Sequence, residues 1–160
     1  MTALWLLLGV FALSVYGTGQ VWLVQISSYP LWHYVGDAQF PAYHRAWWHS
    51  IWGVVLVPSA MTFVGAVLML WWRTPESPAW STWFGVGLQL ALAIGTALWW
   101  APLMARLEGP TGGPDPARFR LLLNTHWLRV GLVTAYSLLL TWMMILNLQT
   151  GGGGPGTSAL

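Results

Sequence analysis

The sequence predicts an all-α integral membrane protein, a four-helix bundle, and three observations carry that reading. Of its 160 residues, 56% are hydrophobic and 6% charged, with mean hydropathy +0.58, whereas a soluble domain carries roughly 25% charged residues. Four apolar stretches reach the length of about 20 residues that crosses a hydrocarbon core about 30 Å thick. Lipid offers the backbone no hydrogen-bond partner, so these stretches must be helices, and they are too few and too long for a barrel.

The spans fall at about 2–26, 49–72, 80–100 and 121–148, inside a single domain of residues 1–150. The first enters its apolar run at once, with neither a basic leader nor a small-residue cleavage site, and reads as a retained helix. Pro58 lies inside the second span and predicts a kink there. Thr74-Pro75-Glu76-Ser77-Pro78 is a tight turn before the third span, and Gly109 to Pro116 is a proline- and glycine-rich loop before the fourth. Residues 27–48 form the one substantial polar connection, whose aromatic density suits an interfacial or re-entrant segment. Residues 151–160 read as a glycine-rich tail. Ala91 with Gly95, and Gly131 with Ala135, place small residues at helical spacing, where they let helices approach closely.

Charge and composition exclude several functions. Six arginines, no lysine and four acids give a formal charge of +2, so the pI of about 9.4 reflects few acids, without the basic patch that nucleic acid requires. The absence of cysteine removes disulfides, thiolate nucleophiles and thiolate metal sites. Arg45, Arg106, Arg118 and Arg120, with Arg129 slightly deeper, stand against Arg73 alone at the other end. That bias predicts the first and third loops in the cytoplasm and both termini outside it. Most of the fourteen tryptophans fall into two expected interfacial belts. One holds Trp32, Trp47, Trp48, Trp99, Trp100 and Trp127, the other Trp5, Trp71, Trp72, Trp80 and Trp83. Trp22 and Trp52 lie deeper and are candidates for lining a pocket or a pigment.

All four histidines, His33, His44, His49 and His126, map to one membrane end, together with Tyr29, Asp37, Tyr43, Arg45 and Arg129. Ionisable groups at membrane depth are expensive, so such a cluster is a functional-site candidate. His44 and His49 sit about 140° apart around a helix and do not make a two-histidine clamp. His126 shares a face with Arg129. A histidine from each of two helices, His44 and His126, could still ligate haem, copper or the magnesium of a chlorophyll-type pigment. The cofactor candidates are therefore a chlorophyll-type pigment, haem or a quinone, held by His33, His44, His49, His126, Trp22 and Trp52.

The stretch Gly19-Gln20-Val21-Trp22-Leu23-Val24-Gln25, Tyr29-Pro30-Leu31, Val35-Gly36, Phe40 and Tyr43-His44 resembles a family of small bacterial four-helix membrane proteins of unknown function, similar to the anthrone-oxygenase-like membrane proteins. Pro58, Trp99-Trp100-Ala101-Pro102-Leu103 and Trp127-Leu128-Arg129 extend the resemblance over most of the chain. It implies a shared site that includes His44 and Arg129. The chain departs from the family pattern at Met104, where relatives carry histidine, and at Met61-Thr62-Phe63, where they carry an acid.

Two functions follow as expectations. The first is a noncatalytic accessory subunit that packs in the bilayer against membrane-protein partners in a larger complex, a photosynthetic or electron-transfer one bearing pigment or haem. The little mass outside the membrane and the tryptophan surplus favour it. The alternative, implied by the resemblance, is a membrane enzyme acting on a lipophilic aromatic or quinone-like substrate, with His44 or His126 as base and Arg129 stabilising an oxyanion. Transport ranks third, for want of a repeated half.

Overall fold

The computed structural model describes residues 2–151. Four helices are long and apolar enough to cross a membrane: α1 (Thr2–Tyr34), α2 (Phe40–Leu68), α3 (Ala79–Ala105) and α4 (Pro116–Thr150). No strand occurs among the described residues. The chain is an all-α, four-helix integral membrane protein. α1 packs on α2 and α4, and α3 packs on the same two, so the helices alternate direction around a square bundle. Of the expected tail, residues 152–160 lie outside the described residues.

The helices are longer than the spans read from hydropathy, although α2 ends at Leu68, short of the expected residue 72. Residues 27–48, expected as a polar connection, are helical through Tyr34 and again from Phe40, leaving only residues 35–39 as a turn. The reason is burial: Tyr29, Trp32 and Phe40 are 3%, 0% and 0% exposed, so this aromatic density packs the bundle's interior. Trp32 and Trp100, expected in the interfacial belt, are core residues for the same reason.

Three of the helices share one irregularity. A five-residue π-helical turn interrupts α1 at Val24–Ser28, α2 at Trp52–Leu56 and α3 at Thr96–Trp100. Each turn is followed two residues later by a proline: Pro30, Pro58 and Pro102. Proline has no N–H, and its ring collides with the carbonyl four residues back. Those carbonyls belong to Ile26, Val54 and Leu98, the central residue of each turn. Widening the helix relieves the collision, and the residue before each proline bonds five back: Tyr29 to Val24, Val57 to Trp52 and Ala101 to Thr96. The kink expected at Pro58 is thus a π-turn. Its freed carbonyl, Val54 O, accepts from Gln20 Nε2 at 2.8 Å and from the Tyr16 hydroxyl at 3.2 Å. A neighbouring helix supplies the bonds that lipid cannot.

Two hydrophobic clusters fill the bundle. One, around Tyr29, Trp32, Phe40, Trp100 and Phe119, lies toward the end that holds the first and third turns. The other, around Leu7, Val10, Met69, Tyr136 and Met143, lies toward the opposite end. Between them runs a polar layer of Ser14, Thr18, Thr62, Gln89 and Ser137, all buried except the half-buried Thr18. Gly65 lets α1 and α2 close up, because a Cβ there would overlap a Val10 methyl. α4 opens on Asp115, whose Oδ1 accepts from the backbone N–H groups of Ala117 at 3.0 Å and Arg118 at 2.9 Å. Those bonds, the one to Arg118 foremost, hold this exposed carboxyl below its ordinary range.

Candidate functional site

The three π-turns face a common space. A cavity of about 130 Å³ opens between the helices, and its wall includes Val24 from the first turn, Trp52, Val55 and Leu56 from the second, and Thr96 and Trp100 from the third. Each turn carries one residue more than an α-helical turn, and π-turns occur frequently at functional sites. The unbroken α4 supplies the cavity's ionisable groups, His126 and Arg129, which three residues of helix place on one face. Tyr29, Gln20, Trp47 and Trp48 complete the polar and aromatic lining.

His126 is 2% exposed, and its neighbours fix its orientation. Its Nδ1 lies 2.8 Å from Gln25 Oε1, and Gln25 Nε2 donates to the Leu123 carbonyl at 3.1 Å. The opposite amide orientation would set oxygen against the Leu123 carbonyl, so Gln25 presents an acceptor to His126 and Nδ1 carries the hydrogen. In the neutral ring, Nε2 is then a free lone pair without a partner among the described residues. Tyr29 packs edge-on against the imidazole, with ring centroids 5.0 Å apart.

Arg129 is the other half of the site. Its guanidinium lies 5.8 Å from the Trp100 ring centroid, in cation–π range. Its buried Nε has no hydrogen-bond partner. Among the described residues the only ion-pair geometry is His44 with Glu108, so no carboxylate pairs with Arg129. A charged side chain at membrane depth costs about 2.5–3.5 kcal/mol on insertion scales, so this guanidinium needs an electron-rich partner.

The remaining sequence candidates are placed elsewhere. His44 is buried against Phe40 and Trp32, with Nδ1 3.5 Å from Glu108 Oε1, and does not line the cavity. The edge-to-face aromatics between them separate it from His126: Tyr29 touches His126, and Trp32 touches His44. His33, against Phe119, and His49 are exposed. Trp52 lines the cavity, whereas Trp22 packs outside it, its indole donating to Thr134 Oγ1 at 3.2 Å. Gln20 and Gln25 were missed as site residues, although glutamines inside an apolar span are themselves the signal.

Comparisons with protein-family models, with curated proteins and with solved structures find no match to this chain. What the site can do rests on its own chemistry. Described residues contain no group of three histidines, cysteines or acids able to hold a metal ion, and His126 is the only such donor on the cavity wall. A lone imidazole beside a guanidinium is a poor cation site. In volume, the cavity is close to the about 150 Å³ hole that admits benzene. In size it matches one aromatic ring and is smaller than a tetrapyrrole.

Proposed function

We propose that this protein binds the ring of a lipophilic hydroxyaromatic or quinone-like molecule in the cavity and acts on it by proton withdrawal. The observation that carries the reading is the pairing of a free imidazole acceptor, His126 Nε2, with an unpaired guanidinium, Arg129, on the wall of a ring-sized apolar cavity. A ligand hydroxyl donates to Nε2 while its oxygen accepts from Arg129. As the proton passes to His126, Arg129 holds the resulting oxyanion, with the Tyr29 hydroxyl available as a second donor. This is the opening step of the membrane-enzyme chemistry that the resemblance implies, with His126, of the two candidate histidines, as base. The chain lies in a bacterial inner membrane with both termini on the non-cytoplasmic side, as the arginine asymmetry favours. An accessory-subunit role finds less support, because an outer surface rich in tryptophan and leucine is what lipid alone requires.

The test uses protein in lipid nanodiscs titrated with 2-methyl-1,4-benzoquinone and its hydroquinone, read by quenching of tryptophan fluorescence. Saturable quenching is expected. Losing a hydrogen bond to a charged group, about 1.5–3 kcal/mol, should weaken it at least tenfold in Arg129→Met. Linear quenching that is identical in Arg129→Met and His126→Leu would show mere partition into lipid and sink the proposal.

A further inference from the structure

Beneath the ligand cavity lies a second, smaller chamber of about 30 Å³, walled by all four helices. Its polar lining is Ser14, Gln20, Ser59, Thr62, Gln89 and Arg129. Gln20 and Arg129 also line the larger cavity, so the guanidinium stands between the two. Gln89 is 5% exposed and makes no hydrogen bond among the described residues. An amide this deep in a bilayer without a partner is costly, and a glutamine is an odd filler for a purely apolar gap.

The identity of the occupant follows from counting protons. Thr62 spends its hydroxyl hydrogen on the Pro58 carbonyl at 2.8 Å. Thr18 spends its own on the Ser14 carbonyl at 2.9 Å. Ser137, 2.7 Å from Thr18 Oγ1, must then donate to it, and Ser14, 2.6 Å from Ser137, must donate in turn. Both amide hydrogens of Gln20 are engaged, with the Tyr16 hydroxyl and the Val54 carbonyl. Ser14, Thr62 and Gln20 therefore offer the chamber only lone pairs. Arg129 offers only hydrogens, and Gln89 and Ser59 offer both. A small anion would accept from Arg129 but face the lone pairs of three neighbours. Water accepts from Arg129 and Gln89 while donating to the oxygens. A buried water needs about 10–15 Å³ of such volume and 2–4 polar partners, so the chamber holds about two.

We infer that the inner chamber is a structural water site, and that its waters hydrate Arg129 from behind. They satisfy Gln89 and keep a guanidinium charged inside the membrane even when the ligand cavity is empty. The site is independent of what the larger cavity binds.

Solid-state NMR of labelled protein in lipid bilayers tests this by magnetisation transfer from water. Gln89 is the decisive reporter, because it lines the chamber and not the larger cavity. Transfer to the Gln89 side-chain amide and to Arg129 Nε–H is expected in the native chain. Gln89→Leu should weaken the transfer to Arg129, which also borders the larger cavity. Thr62→Val keeps the side-chain shape while removing one acceptor, and should weaken transfer at Gln89 even if Gln89→Leu does not fold. No water transfer to Gln89 in the native chain would overturn the inference. So would a Gln89 signal that shifts when chloride is replaced by gluconate, which would place an anion in the chamber.

Discussion

Replacing Gln25 with leucine tests the link between the bundle's packing and its chemistry. Gln25 is 5% exposed, so the substitution changes no surface, and leucine is of similar bulk. It removes two bonds: the 2.8 Å contact that keeps the hydrogen of His126 on Nδ1, and the 3.1 Å bond to the Leu123 carbonyl. A buried donor left without a partner costs about 1–3 kcal/mol, while polar side-chain pairs within membranes average nearer 0.6 kcal/mol. Loss of stability should therefore be modest, about 1 kcal/mol. The larger effect falls on His126. Freed from Gln25, the ring can move its hydrogen to Nε2, which turns the cavity's acceptor into a donor. A hydroquinone probe would then lose one buried hydrogen bond and meet a donor where it needs a lone pair. Affinity should fall about tenfold, the equivalent of about 1.4 kcal/mol. The ¹⁵N shifts of His126 report the tautomer, and tryptophan quenching in nanodiscs reports affinity. If Nδ1 keeps its hydrogen and hydroquinone binding is unchanged, the orienting role of Gln25 is refuted.

Two further perturbations read the scaffold. Gly65→Ala should force α1 from α2 at the Val10 contact and destabilise the bundle by about 1–3 kcal/mol, the usual range for overpacking; thermal unfolding in detergent measures it, and Val10→Ala should restore most of the loss. The depressed carboxyl of Asp115 stabilises the start of α4 in full above the unfolded carboxylate value of about 3.9, and that contribution is lost as pH falls through the lower folded value. Hydrogen-exchange protection of Ala117 and Arg118 should therefore hold from neutrality to about pH 4 and drop below it, and Asp115→Asn should flatten that dependence.

Hydropathy and length sufficed for the four helices, because a bilayer leaves the backbone almost no alternative. The three-residue spacing of His126 and Arg129 likewise placed both on one face, and both line the cavity. Other features depend on contacts between distant segments. Trp32 and Trp100 have the composition of interfacial anchors, and only the meeting of α1, α2 and α4 around them makes them core. The apparent convergence of four histidines followed from their shared membrane end, but depth along a helix does not say which way a side chain faces, and His44 turned toward Glu108. Pro58 announced a distortion in α2, while Pro30 and Pro102 carry the same signal at the same offset from their turns. Gln25 became meaningful only once its partner, 101 residues away, was beside it.

The three π-turns bear on how such a protein could change its role. The space they enclose comes from main-chain geometry at Ile26, Val54 and Leu98 more than from small side chains. Each turn amounts to one inserted residue, and the helical turns on either side keep the faces they would have in an uninterrupted helix. Deleting one residue from a turn and replacing its proline would shut the space while leaving the lipid-facing surface and the loops as they are. Descendants of one ancestral bundle could thus gain or lose an interior by single-residue insertions, with the outer shell conserved and the cargo free to diverge.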